Sequence, residues 1–113
     1  MTEPRRNRRK RASLVTIYWR DIPAQVNGTR DGEKAQALLT ARFQHAIDRA
    51  AVVAKKTDTQ SYVAEWRQAG RDLDDSDLET QTRAEAERLE QAYTQDRLEF
   101  LVTTGGLETE GAP

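Results

Sequence analysis

Arg20 and Asp21 stand side by side where an apolar run, Leu14-Val15-Thr16-Ile17-Tyr18-Trp19, breaks off. A carboxylate beside a guanidinium is the pair best suited to chemistry here, with Asp21 as a general base and Arg20 and Arg42 holding an anionic substrate. The same pair also serves as a structural ion pair satisfying a backbone bend, a reading that carries no catalysis. Little else competes. The chain has no cysteine and one histidine, His45, so it lacks a thiolate nucleophile, and a zinc site would need carboxylates for its remaining ligands. There is no nucleophile motif and no glycine loop that follows a strand to cradle phosphate. The acidic stretch Gly70 to Asp75 lacks the alternating ligands, central glycine and closing glutamate of a calcium loop. The expectation is a chain without catalytic residues, metal or cofactor.

The elements that must position Arg20 and Asp21 emerge from periodicity. Large side chains on both faces of Leu14 to Trp19 predict a central strand covered on both sides. Pro23 lacks an N–H and biases Ile22 toward extended backbone, so a bend is expected before Ala24 to Val26 resumes a strand. Asn27-Gly28 and Asp31-Gly32 are both hairpin-turn dipeptides. Residues 33–39 alternate with period two although their types favour helix; Thr40, whose hydroxyl can cap a new helix, favours a third strand before it. A helix is expected over Ala41 to Ala54, with Phe43, Ile47, Ala50 and Ala54 buried and His45 on the solvent side. Thr57 to Gln60 forms a capping box for a short helix to about Gln68, whose Tyr62, Val63 and Trp66 share a face. Gly70 to Asp75 reads as a linker. Ser76-Asp77-Leu78-Glu79 is a second capping box, opening a helix to Val102 that at about 1.5 Å per residue would be near 40 Å long. Its half from Leu89 onward is expected to dock and its first half to be more exposed. Gly105-Gly106 ends it. The expected fold class is α+β, a small three-stranded, mainly antiparallel sheet followed by three helices, the last one long. It forms one domain over residues 13–104, with a basic arm at 1–12 and a flexible tail at 105–113.

About a third of the 113 residues are charged and 36% are apolar, so the core is small. The net charge of −1 hides an asymmetry. Residues 1–11 carry six basic side chains and one acid, and the remainder carries twelve basic against eighteen acidic. Arg5, Arg6, Arg8, Arg9, Lys10 and Arg11 repel one another and have no apolar residue beside them, which predicts a disordered arm. Such an arm is a solubilising tail, a nucleic-acid or anionic-lipid contact through phosphates, or a ligand for the chain's own acidic body; no aromatic interleaves it to stack on bases. The longest apolar run is too short for a membrane span or a signal-peptide core, so a soluble, cytoplasmic protein is expected.

Tyr18-Trp19-Arg20-Asp21-Ile22-Pro23-Ala24-Gln25-Val26, with Arg42-Phe43-Gln44, Ala46-Ile47-Asp48-Arg49-Ala50-Ala51 and Tyr62-Val63-Ala64-Glu65-Trp66-Arg67, resembles a small bacterial family named virulence factor. Its domain also occurs in conserved virulence factor C-type proteins. The resemblance covers about Leu14 to Gln68, with a looser helical continuation to Gly106, and leaves out the arm. It departs at Asn27-Gly28-Thr29, where relatives carry more apolar residues, which implies a shorter second strand. Small members also imply a link to folate- or corrinoid-dependent one-carbon enzymes.

The function expected is therefore a non-catalytic accessory protein docking a larger protein partner through Trp19, Arg20, Asp21, Pro23, Gln25 and Trp66, since a Trp/Arg/Pro cluster at a strand end has hot-spot composition. The alternatives are a small enzyme or carrier with an anionic ligand at Arg20, Asp21 and Arg42, and nucleic-acid binding through the arm.

Overall fold

The structure is a computed structural model, and it describes residues 12–73 and 77–108. Along the chain run β1 (Ala12–Trp19), β2 (Ile22–Arg30), β3 (Glu33–Leu38), α1 (Ala41–Val53), α2 (Thr59–Ala64), β4 (Trp66–Leu73), α3 (Leu78–Ala92) and α4 (Gln95–Thr103). The fold is α+β. Four strands form one antiparallel sheet in the order β3-β2-β1-β4, so the tryptophan-bearing strand is central as expected.

The strands correct the expectation in three places. β2 is not shortened at Asn27-Gly28 but runs straight through them, because Leu78 and Thr82 of α3 lie directly on Gly28 and leave no room for a Cβ. The turn is made by Asp31-Gly32 alone, both at positive φ (48° and 95°), as a two-residue hairpin of primed type requires. Pro23 does not interrupt the chain either. Ile17 faces Gln25 while Tyr18 faces Pro23, so Ala24 is the extra residue of a bulge, and a bulge tolerates a proline. The largest correction is a fourth strand. Trp66 to Leu73 has no β-branched residue and its pattern suggests a helix end and a linker, yet it pairs in unbroken register from Trp19↔Trp66 to Ala12↔Leu73. β1 would otherwise expose one whole edge of backbone donors and acceptors, and this segment satisfies them.

The helices are shorter than their patterns suggest. α2 is capped by Asp58 rather than Thr57, the Asp58 Oδ2 accepting from Ser61 N at 3.2 Å. Asp77, not Ser76, caps α3, accepting from Thr80 N at 2.9 Å; Ser76 lies outside the described residues. The long terminal helix is two helices. Tyr93 leaves helical geometry and Thr94 caps α4, its hydroxyl accepting from Arg97 N at 3.2 Å. This break lets Leu98, Leu101 and Val102 bury themselves where a straight rod would have carried them past the body.

Packing depends on these breaks. α3 covers the sheet over β2 and β3, docking its first half as firmly as its second, with Leu78, Thr82, Ala86 and Leu89 all buried. Glu85 is buried with them, and hydrogen bonds from Arg88 (2.6 Å) and Arg71 (3.2 Å) hold its carboxyl below the ordinary glutamate value against the opposing effect of burial. α1 packs on α4, with Phe43, Ala46, Ile47, Ala50 and Ala51 buried, and Arg49 spans the pair with a two-pronged bond to Glu99 (2.8 and 3.0 Å). Neither face of β1 is covered over its whole length, since Tyr18 is half-buried on one face and Trp19 is buried on the other. Ala12, Leu14 and Thr16 are buried, whereas Val15 and Ile17 on the other face are half-buried, so the strand is not sandwiched over its length.

Gly28→Ala should lower stability by about 1–3 kcal/mol through this overpacking, read as a lower urea midpoint with an unchanged slope. An unchanged midpoint would mean that α3 does not rest on β2 there.

Candidate functional site

Trp19 ends β1 fully buried, its indole N–H donating to the Tyr62 carbonyl at 2.8 Å and its ring stacked on Tyr62 with centroids 5.7 Å apart. Trp66 meets Tyr62 edge-on with ring centroids 5.9 Å apart. Gly106, at φ 97°, presses on the Trp19 ring so closely that a Cβ would stand 3.1 Å from it. The β1–β2 turn beyond Trp19 is held by its own polar groups. Arg20, at φ 55°, donates from Nε to Glu65 Oε1 (3.1 Å) and from Nη1 to the Gly105 carbonyl (3.1 Å). Asp21 accepts from Arg67 Nη2 on one oxygen (2.9 Å) and from the Glu108 amide on the other (2.6 Å), while its own N–H donates to the Gly106 carbonyl (2.8 Å). The Tyr93 hydroxyl, whose pKa burial pushes up, donates to the Asp21 carbonyl at 3.4 Å.

These bonds decide what the corner can do. Arg20 and Asp21 each pair elsewhere, and both Asp21 carboxylate oxygens are engaged with the protein itself. Arg42 stands on α1 and donates to the carbonyls of Tyr93 and Glu90, both at 2.7 Å, closing the end of α3. The three groups considered for an anionic ligand are thus engaged in two separate fastenings. Among the described residues no cluster of three or more histidines and acids is placed to hold a metal ion.

The open surface lies next to the corner. Pairing sets Gln68, Ile17, Gln25 and Leu38 in one row across the four strands, and Gly70, Val15, Asn27 and Gln36 in the next. At the end of the first row a groove of about 460 Å³ opens between Trp66, Ile17, Gln25, Leu38 and Gln44. Leu38 is 68% exposed, and Gln44 donates to the Tyr62 hydroxyl at 3.2 Å. Of the six residues proposed for docking, the fold brings Gln25 and Trp66 to this groove. Trp19 and Pro23 are buried and present no contact area, Trp19 because Tyr62 and Gly106 pack on it. Arg20 and Asp21 form the fastening beside it. Ile17, Leu38 and Gln44 are not among the residues proposed for docking; the period-two pattern of residues 33–39 points to Leu38 alone, and Ile17 and Gln44 enter the sequence reading only as part of the central strand and of the family resemblance. Arg5, Arg6, Arg8, Arg9, Lys10 and Arg11 lie outside the described residues.

Comparison with known proteins matches the chain over residues 17–102 to the family model described as Virulence factor, and the chain belongs to that family. The match starts within β1 and ends within α4, so it takes in Arg20, Asp21 and the groove and leaves out residues 1–16 and 103–113, among them Gly105, Gly106 and Glu108 of the corner. No curated protein and no solved structure matches. Among the described residues no helix is long and apolar enough to cross a membrane.

Asp21→Ala should cost about 1–2 kcal/mol, since it strands the Arg67 guanidinium and the Glu108 amide, and it should speed hydrogen exchange at the Glu108 amide. Wild-type exchange and stability in this variant would remove the fastening role.

Proposed function

We propose that this member of the virulence factor family is a non-catalytic accessory protein that docks a larger protein partner through the groove at the end of its open sheet face. Trp66, Gln25, Ile17 and Leu38 make the contact, and Trp19 supports it from within. The observation that carries this reading is a contrast in charge. In a chain one third charged, the two central rows of the open face hold carboxamide, aliphatic and glycine residues and not one acid or base. Protein interfaces are depleted of charge at their centres and anchored by aromatic side chains, and this face has that composition around Trp66.

The other readings find less support. A surface that tracks phosphates needs cations, and these rows have none, which leaves nucleic-acid binding to the arm alone. An enzyme or carrier at Arg20, Asp21 and Arg42 would have to break bonds that fasten the fold before any anion could enter. A cysteine-free chain suits a reducing, cytoplasmic setting. The link to folate- or corrinoid-dependent one-carbon enzymes rests on resemblance, and such enzymes are the first candidates to test as partners.

Leu38→Asp puts a charge into the groove at an exposed position, so the fold should persist. Recovery of the partner in a pull-down with this variant should fall about tenfold or more. Equal recovery by the folded variant would contradict docking at the groove.

A further inference from the structure

Natural sheets protect their edges with short strands, prolines, bulges or outward charges, because an unprotected edge offers backbone donors and acceptors to any strand that reaches it. β4 is an edge of this sheet and has few of these protections. It is eight residues long, contains no proline and keeps an unbroken register with β1. Residues 67–72 are all exposed. Its two arginines do not guard the edge, since Arg67 is drawn to Asp21 and Arg71 to Glu85. β3, the opposite edge, is shorter and begins with the exposed charges Glu33 and Lys34.

The backbone phase of β4 is set by one bond. Arg20 N donates to the Glu65 carbonyl at 3.0 Å, in line with the pairing of Trp19 with Trp66. Alternation from Glu65 turns the N–H and C=O of residues 67, 69, 71 and 73 toward β1, and those of 66, 68, 70 and 72 outward.

We infer that β4 pairs antiparallel with β4 of a second copy of this chain, with the two-fold axis passing through Gly70. An isologous pair of edges has its axis perpendicular to the sheet, so opposed residues share a face and their numbers differ by an even count. Two registers centre the strand. One passes through Ala69 and sets Arg67 opposite Arg71 twice, like charges in direct opposition, which destabilises a strand pair. The other passes through Gly70, sets the Gln68 amide opposite the Asp72 carboxylate twice, and puts a residue without a side chain on the axis. In that register the outward-turned residues 68, 70 and 72 exchange hydrogen bonds with one another across the axis. The strand is complementary to itself, and both grooves remain open on the same side of the joined sheet.

Sedimentation velocity of the full chain across a wide range of concentration tests this. Wild type should shift from monomer to dimer as concentration rises. Gly70→Pro removes an outward N–H that β1 does not use, and Gln68→Asp opposes two carboxylates at both ends of the pairing while leaving the backbone intact. Each should raise the dimer dissociation constant about tenfold or more, and Gln68→Lys, which opposes an ammonium to Asp72, should keep or tighten the dimer. Three results would overturn the inference: a wild-type monomer at every concentration; a dimer that both folded variants leave unchanged and Leu38→Asp dissolves; or a chain monomeric alone whose partner is lost in Gly70→Pro, which would assign the edge to a strand of that partner. The last two differ from failure of groove docking, which is read by Leu38→Asp on partner recovery alone.

Discussion

The burial of Trp19 constrains the rest of this molecule. An indole is large and carries one donor that must be satisfied when it leaves water, so the fold must supply both an enclosing shell and an acceptor at its rim. The Tyr62 carbonyl is that acceptor, which fixes where α2 stands relative to β1. The chain leaving α2 then enters β4 at Trp66, directly opposite Trp19. From the other side Gly106 closes over the ring while Gly105 rests on Ala54, both at positive φ in a left-handed turn that glycine adopts without strain, and this sets where α4 must end.

Charge plays a second, different part. Arg20, Arg42, Arg49 and Arg67 each join elements far apart in the chain: turn to α2 and the C-terminal turn, α1 to the end of α3, α1 to α4, and β4 to the first hairpin. Half-exposed ion pairs contribute about 0–1 kcal/mol each, so the apolar core supplies stability and the arginines supply geometry, chiefly by closing backbone carbonyls that would otherwise lack donors. Several charged groups are gathered into such fastenings, whereas the two central rows of the open face carry no charge at all.

Much of the architecture is legible in the residues. The β-branched and aromatic run of Leu14 to Trp19 names the central strand, Asp31-Gly32 names a hairpin turn, period two wins over helix propensity in residues 33–39, and Phe43, Ile47 and Ala50 mark the buried stripe of α1. The features hidden from the sequence are hidden for tertiary reasons. β4 forms because β1 has an unsatisfied edge, a demand that its own residues do not announce. Gly28 stays in a strand because α3 lies over it, which no local pattern records. The break at Tyr93 has a local signal in the cap Thr94, but Leu89, Tyr93, Phe100 and Leu101 continue a helical stripe across it and mask it. The corner is legible as structural but its partners are not, since Arg20 pairs with Glu65 and Asp21 with Arg67 rather than with each other, and the groove is not legible, since its lining comes from all four strands and α1.

The claim that Trp19 is the fixed point is tested most directly by native-state hydrogen exchange at the two indole N–H groups, followed by NMR. The account predicts that the Trp19 indole exchanges only through global unfolding, with a free energy of opening equal to that of the whole domain, while the half-buried Trp66 indole exchanges much faster. If the Trp19 indole exchanges as readily as that of Trp66, through local opening well below the global stability, the tryptophan does not hold this end of the sheet together.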